Sequence, residues 1–169
     1  AYAPAARELA QRQFLVAVVP MPLGIALLGS ERAMGVMAAT PEVSRWAVGG
    51  HSLGGVAAAA FARRHPELVQ GLVLWASYPN GPDDLSSQPI AVVSVFGELD
   101  PLTSPARARA AARQLPPETR FVEIAGGNHS QFGWYADQPR DVPARISRAE
   151  QQAQVIAATA ELLERVAGS

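Results

Sequence analysis

Hydrophobic positions in this chain gather into five short runs rich in β-branched and aliphatic residues: Phe14 to Val19, Arg45 to Val48, Gly71 to Trp75, Ile90 to Phe96 and Phe121 to Ile124. Apolar character is nearly continuous along each run. That pattern predicts strands covered on both faces, as in a parallel sheet.

Helical spacing fills the intervals. Ala5 to Gln13 is a short helix candidate, and Ser52 to Arg64 is an Ala-rich one stopped by Pro66. A third starts at Thr103 or Ser104, carries Pro105 in its first turn and runs to Leu115 ahead of Pro116-Pro117. Ser147-Arg148-Ala149-Glu150 has capping-box spacing, and Val155, Ile156, Thr159, Leu162, Leu163 and Val166 then form an apolar face expected to pack on the sheet.

Strands alternating with helices predict an α/β fold with a mainly parallel sheet, without internal repeats. The long irregular stretches Met21 to Ser30, Tyr78 to Gln88 and Ser130 to Pro143 each follow a predicted strand, at the end where sites form in such folds.

Composition narrows this picture. At 169 residues and 49% hydrophobic, the chain is one domain with a well-buried core. A net charge of −1 provides no electrostatic footprint for nucleic acid or an anionic membrane, so neither is expected as a partner. All the basic residues are Arg, which reads as compositional bias rather than a binding function. Without cysteine there is no disulfide framework, thiolate metal site or cysteine nucleophile. The apolar stretches Phe14 to Val19 and Pro20 to Leu28 are too short or too broken to span a bilayer, which predicts a soluble domain, cytoplasmic by default. Neither compartment nor oligomeric state has a sequence signal.

The chemistry centres on Gly49-Gly50-His51-Ser52-Leu53-Gly54-Gly55, where a predicted strand runs straight into G-x-S-x-G and then a helix. This is the context a nucleophile elbow requires: a tight turn that strains the nucleophile's backbone, with glycines two before and two after leaving room for neighbouring main chain. The helix that begins there also aims its positive end, including the Leu53 N–H, at an oxyanion. A glycine-rich turn that binds phosphate or merely packs is the bland alternative.

Serine needs a base, and His51, His65 and His129 are the three histidines. His51, beside Ser52, is expected to point the other way; His65, before Pro66, reads as a surface cap. His129, in Ala125-Gly126-Gly127-Asn128-His129-Ser130, follows the last predicted strand on a flexible glycine loop, where a base belongs. Asp100, directly after the penultimate strand, is the acid expected to fix the imidazole tautomer. Glu98 is its nearest competitor, with Asp83 and Asp84 more distant.

The order Ser52, Asp100, His129, with V-x-G-G-H-S-L-G-G, G-x-x-D and G-G-N-H-x-Q-F-G segments, resembles bacterial α/β-hydrolases of the dienelactone-hydrolase-like group, from Ala1 to the final helix. True dienelactone hydrolases use a cysteine where this chain has Ser52, so the resemblance implies a simple serine esterase rather than a lactonase. A Ser52-His129-Asp100 triad acting on a small-molecule carboxylic ester through an acyl-enzyme, without metal or organic cofactor, is the expected function. Thioesterase, amidase or lactonase activity would use the same residues. The alternative from another class is a non-catalytic relative that binds a ligand or partner.

Met21, Leu23, Ile25, Leu27 and Leu28 are candidates for an apolar wall, and Trp75, Tyr78, Trp134 and Tyr135 for acyl contacts, though core packing suits each aromatic taken singly. Gln131 either hydrogen-bonds substrate or ties its loop down. The resemblance also implies a strand and glycine-rich loop ahead of the segment matching Ala1-Tyr2-Ala3-Pro4. That strand would lie between those corresponding to Phe14 to Val19 and Arg45 to Val48, and its loop would supply a second oxyanion N–H. A functional protein longer at its N-terminus is therefore expected.

Overall fold

The computed structural model describes residues 1–21 and 29–168. Its centre is a four-stranded parallel sheet of β1 (Ala47–His51), β2 (Gly71–Trp75), β3 (Ala91–Gly97) and β4 (Arg120–Ile124), in that spatial order. The register pairs Ala47 with Gly71, Gly71 with Ala91 and Val93 with Arg120, so the carboxyl ends of all four strands come together.

Alternate residues of the strands feed two apolar layers. Leu72, Leu74 and Val92 meet Ala58, Ala59, Phe61 and Ala62 of helix α3 (Leu53–Arg64), together with Leu85 and Leu115. Val73, Val93 and Val95 on the other face meet Val155, Ala158, Leu162 and Val166 of helix α5 (Arg148–Gly168). Near-continuous apolar runs are what two covered faces demand. Small alanines on α3 bring its backbone close to the sheet, while α5 fills the wider gap with Val and Leu.

The helix ends follow the sequence signals. Ser147 Oγ accepts the Glu150 N–H at 3.2 Å and Glu150 Oε2 accepts the Ser147 N–H at 2.8 Å, closing the expected capping box. Ser104 caps helix α4 (Pro105–Ala110), which tightens into a 3₁₀ turn over Ala111–Gln114. Helix α1 (Ala3–Gln11) begins and ends two residues before the expected span, because Pro4 fits the first turn and Gln13 turns left-handed at φ 67°. Ala5 and Leu9 of α1 pack on Ile156 and Ala160 of α5.

Two expectations are corrected, and one helix is new. Phe14 to Val19 is not a strand: the segment has no regular secondary structure, lines an apolar cleft together with β1 and pairs with no described strand. Strand status requires a neighbour about 4.8 Å away, and the cleft separates the two. Helix α2 (Arg32–Ala39) was hidden in the sequence because it buries no residue fully and carries Gly35, so no periodic face marks it. The first strand of the sheet starts later than Arg45 and runs on through Gly49 and Gly50 to His51, since pairing with β2 overrides the weak strand propensity of glycine.

Candidate active site

Strand β1 delivers the chain to Ser52, whose backbone sits at φ 53°, ψ −122°, before α3 begins at Leu53. For a non-glycine residue this is a strained conformation, maintained only because the surroundings over-determine it. The Ser52 N–H donates to the Trp75 carbonyl at 2.9 Å, and its carbonyl accepts from Gly55 N–H at 3.0 Å and Ser77 Oγ at 2.7 Å. A Cβ on Gly50 would sit 2.3 Å from the Gly54 carbonyl carbon, and one on Gly55 would sit 2.5 Å from Ser77. The crowded glycine after the serine is therefore Gly55, whereas Gly54 has open space around it, contrary to the two-before, two-after expectation. At the amino end of α3, the Leu53 N–H has no carbonyl four residues back within the helix, and the helix dipole adds positive potential there.

Asp100 follows β3 in a turn that its own carboxylate organises. Oδ1 accepts the N–H groups of Leu102 at 2.8 Å and Thr103 at 2.7 Å, which leaves Oδ2 facing His129 Nδ1 at 2.7 Å. Both side chains are buried, Asp100 at 2% exposure and His129 at 1%. A carboxylate so held fixes the ring and favours the tautomer with its proton on Nδ1. His129 Nε2 is buried without a hydrogen-bond partner, so the Ser52 hydroxyl is not bonded to it. Glu98, the competing acid, instead accepts the Gly126 N–H at 2.7 Å, and Asp84 caps Ser86.

The glycine loop that carries His129 is pinned. Asn128 exchanges two hydrogen bonds with the buried Gln151 side chain, N–H to Oε1 at 3.0 Å and C=O from Nε2 at 2.8 Å. Asp141 accepts the Ser130 N–H at 2.7 Å and the His129 N–H at 3.3 Å. Gln131 ties the loop down, donating through Nε2 to the Ile146 carbonyl at 3.3 Å. No sequence signal singled out Asp141 or Gln151, because each acts through backbone groups brought near only by the fold.

His51 sits in a cluster of rings. Its ring packs beside the His129 ring, with centroids 4.5 Å apart, and stacks on Phe132 at 5.6 Å and 8°. Tyr2 and Tyr135, from opposite ends of the chain, each bring a hydroxyl to 3.0 Å from His51 Nδ1. Burial, reinforced by the neighbouring His129, pushes the His51 pKa down to about 3, so the ring is neutral. His65 behaves as the expected surface residue at the end of α3, 2.9 Å from Glu31.

Ser52, Leu53, His51, Tyr2, Tyr135 and Met21 share a cleft of about 890 Å³ that continues between Phe14–Val19 and β1. Tyr78, half-buried, and Gln131 are not on its lining. Trp75 also lines the cleft and donates its indole N–H to Thr159 at 3.0 Å, whereas Trp134 lies half-exposed under the Arg148 guanidinium and is not on the lining. Leu23, Ile25, Leu27 and Leu28 of the proposed apolar wall lie outside the described residues.

A family model described as the alpha/beta hydrolase family matches residues 1–153. No curated protein matches the chain. Among solved structures it is similar to a thermophilic esterase from Thermogutta terrifontis, at 16% identity and TM-score 0.60, covering 89% of this chain and 75% of the esterase. It is also similar to a monoacylglycerol lipase from Paleococcus ferrophilus, at 14% identity and TM-score 0.68 with 95% and 88% covered. A dienelactone hydrolase-like promiscuous phosphotriesterase from metagenomic libraries shares 18% identity at TM-score 0.63, with 83% of this chain and 61% of that one covered. The chain thus spans less than two thirds of the length of some of these relatives. At such identities the likeness is one of fold.

Proposed function

The chain belongs to the alpha/beta hydrolase family, and on that premise we propose that it is a serine hydrolase that cleaves carboxylic esters of small molecules through an acyl-enzyme. The observation that carries the proposal is the buried Asp100–His129 pair at 2.7 Å, set at the same sheet end as a strained serine at the head of a helix. The esterase and the lipase among the relatives make esters the first substrates to try.

In this mechanism Ser52 Oγ attacks the ester carbonyl and His129 Nε2 takes its proton. Asp100 holds the imidazolium that forms, and the Leu53 N–H donates to the oxyanion. His129 returns the proton to the leaving alcohol, and water, deprotonated by the same nitrogen, releases the acid. No metal or organic cofactor enters these steps.

A fluorophosphonate probe and a short aryl ester test this together. Stoichiometric labelling of Ser52 is expected, with loss of both labelling and hydrolysis in Ser52→Ala. Retention of more than roughly a hundredth of the rate in that variant would move the nucleophile elsewhere, and absence of labelling in folded protein would favour a ligand-binding relative.

A further inference from the structure

His51 is a buried polar residue for which the proposed mechanism has no use. One ring face stacks on Phe132 and the ring lies 4.5 Å from His129, tilted by 48°. Its Nδ1 is shared between the Tyr2 and Tyr135 hydroxyls, and Tyr135 in turn accepts from Gln138 Nε2 at 3.0 Å. Three separate parts of the chain, the start of α1, the end of β1 and the loop after Phe132, thereby converge on one ring. Such convergence costs side-chain entropy and two desolvated phenols, more than filling space with leucine would.

We propose that His51 is a positioning residue for His129: an uncharged ring, anchored by the Tyr2 and Tyr135 hydroxyls and backed by Phe132, that presses on the base imidazole and holds it dry against Asp100. The assignment of His129 as base rests on the function proposed above; the packing of His51 against it does not. A base that must gain and return one proton gains from a neighbour that cannot compete for it. His51 meets that requirement, since its own ionisation is suppressed by burial. The ionisable groups around the two rings are Asp100 at His129 Nδ1, Asp141 at the His129 N–H, and Tyr2 and Tyr135 at His51. Both phenols have pKa values raised by burial and stay protonated.

The test compares His51→Ala, which removes the ring, with His51→Phe, which keeps an uncharged ring. Exchange of the His129 Nδ1 proton with water, followed by NMR, needs no turnover and is read beside kcat and KM on the aryl ester. In His51→Ala, water reaches the His129 ring, so that proton is expected to exchange at least about tenfold faster. A misplaced base should lower kcat by roughly tenfold to a hundredfold while KM changes little. His51→Phe is expected to recover most of both effects. If His51→Ala fails to fold, Tyr2→Phe combined with Tyr135→Phe, which frees the anchor and keeps every ring, is expected to give the same faster exchange.

An unchanged exchange rate of the His129 Nδ1 proton in the variant that folds overturns the proposal. So does a His51→Phe protein as impaired as His51→Ala, since the nitrogen and not the ring would then be at work. If wild-type protein neither labels nor hydrolyses, the hydrolase reading fails by itself, and the exchange rate alone decides the role of His51.

Discussion

Two carboxylates stand two residues apart after β3, and the turn gives them opposite tasks. Asp100 spends one oxygen on its own turn and the other on His129, whereas Glu98 reaches the Gly126 N–H. Asp100→Asn is therefore expected to cut kcat/KM by several orders of magnitude, up to about 10⁴ if the tautomer is reversed, whereas Glu98→Gln should cost roughly tenfold or less. Steady-state kinetics of the two variants decide the matter, and a larger loss in Glu98→Gln would reverse the assignment. His51 makes a second prediction at this scale. Its pKa is about 3 when folded against an ordinary 6.5, so the unfolded chain takes up the proton first. Between those values the unfolded state binds more protons, and stability falls as the pH falls, by up to about 1.4 kcal/mol per pH unit from this one group. His51→Phe removes that contribution. The urea midpoint of the variant should therefore drop less than that of wild type between neutral pH and about pH 4; an equal drop would mean that the ring ionises freely in the fold.

Elements were readable where a local pattern coincided with the tertiary demand. The runs over Gly71 to Trp75, Ile90 to Phe96 and Phe121 to Ile124 became strands within a residue of their expected ends, because two covered faces impose an unbroken apolar run. Ser147 and Glu150 marked the start of α5 through bonds that lie within four residues of each other. Asp100 and His129 could be placed near one another for a similar reason: each stands in the turn or loop that follows a strand, at the carboxyl end that the parallel sheet brings together. What escaped was non-local. The short, half-exposed α2 has no buried face to announce it, and the Phe14 to Val19 run has strand composition without a described partner. His51 looked like a bystander because its partners are distant in sequence, and only the fold brings the loop after β4, with His129, against its ring. The aromatic residues Tyr2 and Tyr135 could not be tied to it across 49 and 84 residues of sequence.

At the scale of the whole molecule the sheet is asymmetric. Strands β1 and β4 are the two ends of the row, and β1 pairs only with β2 among the described residues. The Trp46 carbonyl and the Ser52 N–H point to the β2 side, so by the two-residue period the backbone groups of Ala47, Gly49 and His51 point to the free edge. Across the cleft of about 890 Å³, the Phe14–Val19 segment exposes Leu15 at 52% and Val18 at 63%. A strand edge without a partner among the described residues, facing an exposed apolar segment, is a template for pairing with an extended chain. Other proteins blunt such edges with charge or proline, and neither occurs between Ala47 and His51. The chain of 169 residues is therefore expected to self-associate with rising concentration through this face. Sedimentation velocity over a concentration series would detect it. Val16→Lys combined with Val18→Lys, which places two cations on the apolar segment, should shift the distribution towards monomer without lowering the thermal midpoint, because both residues lie in a segment without ladder hydrogen bonds. A wild-type chain that stays monomeric at every concentration, or a lysine variant that associates as strongly as wild type, would show that the edge is covered by something other than a second chain.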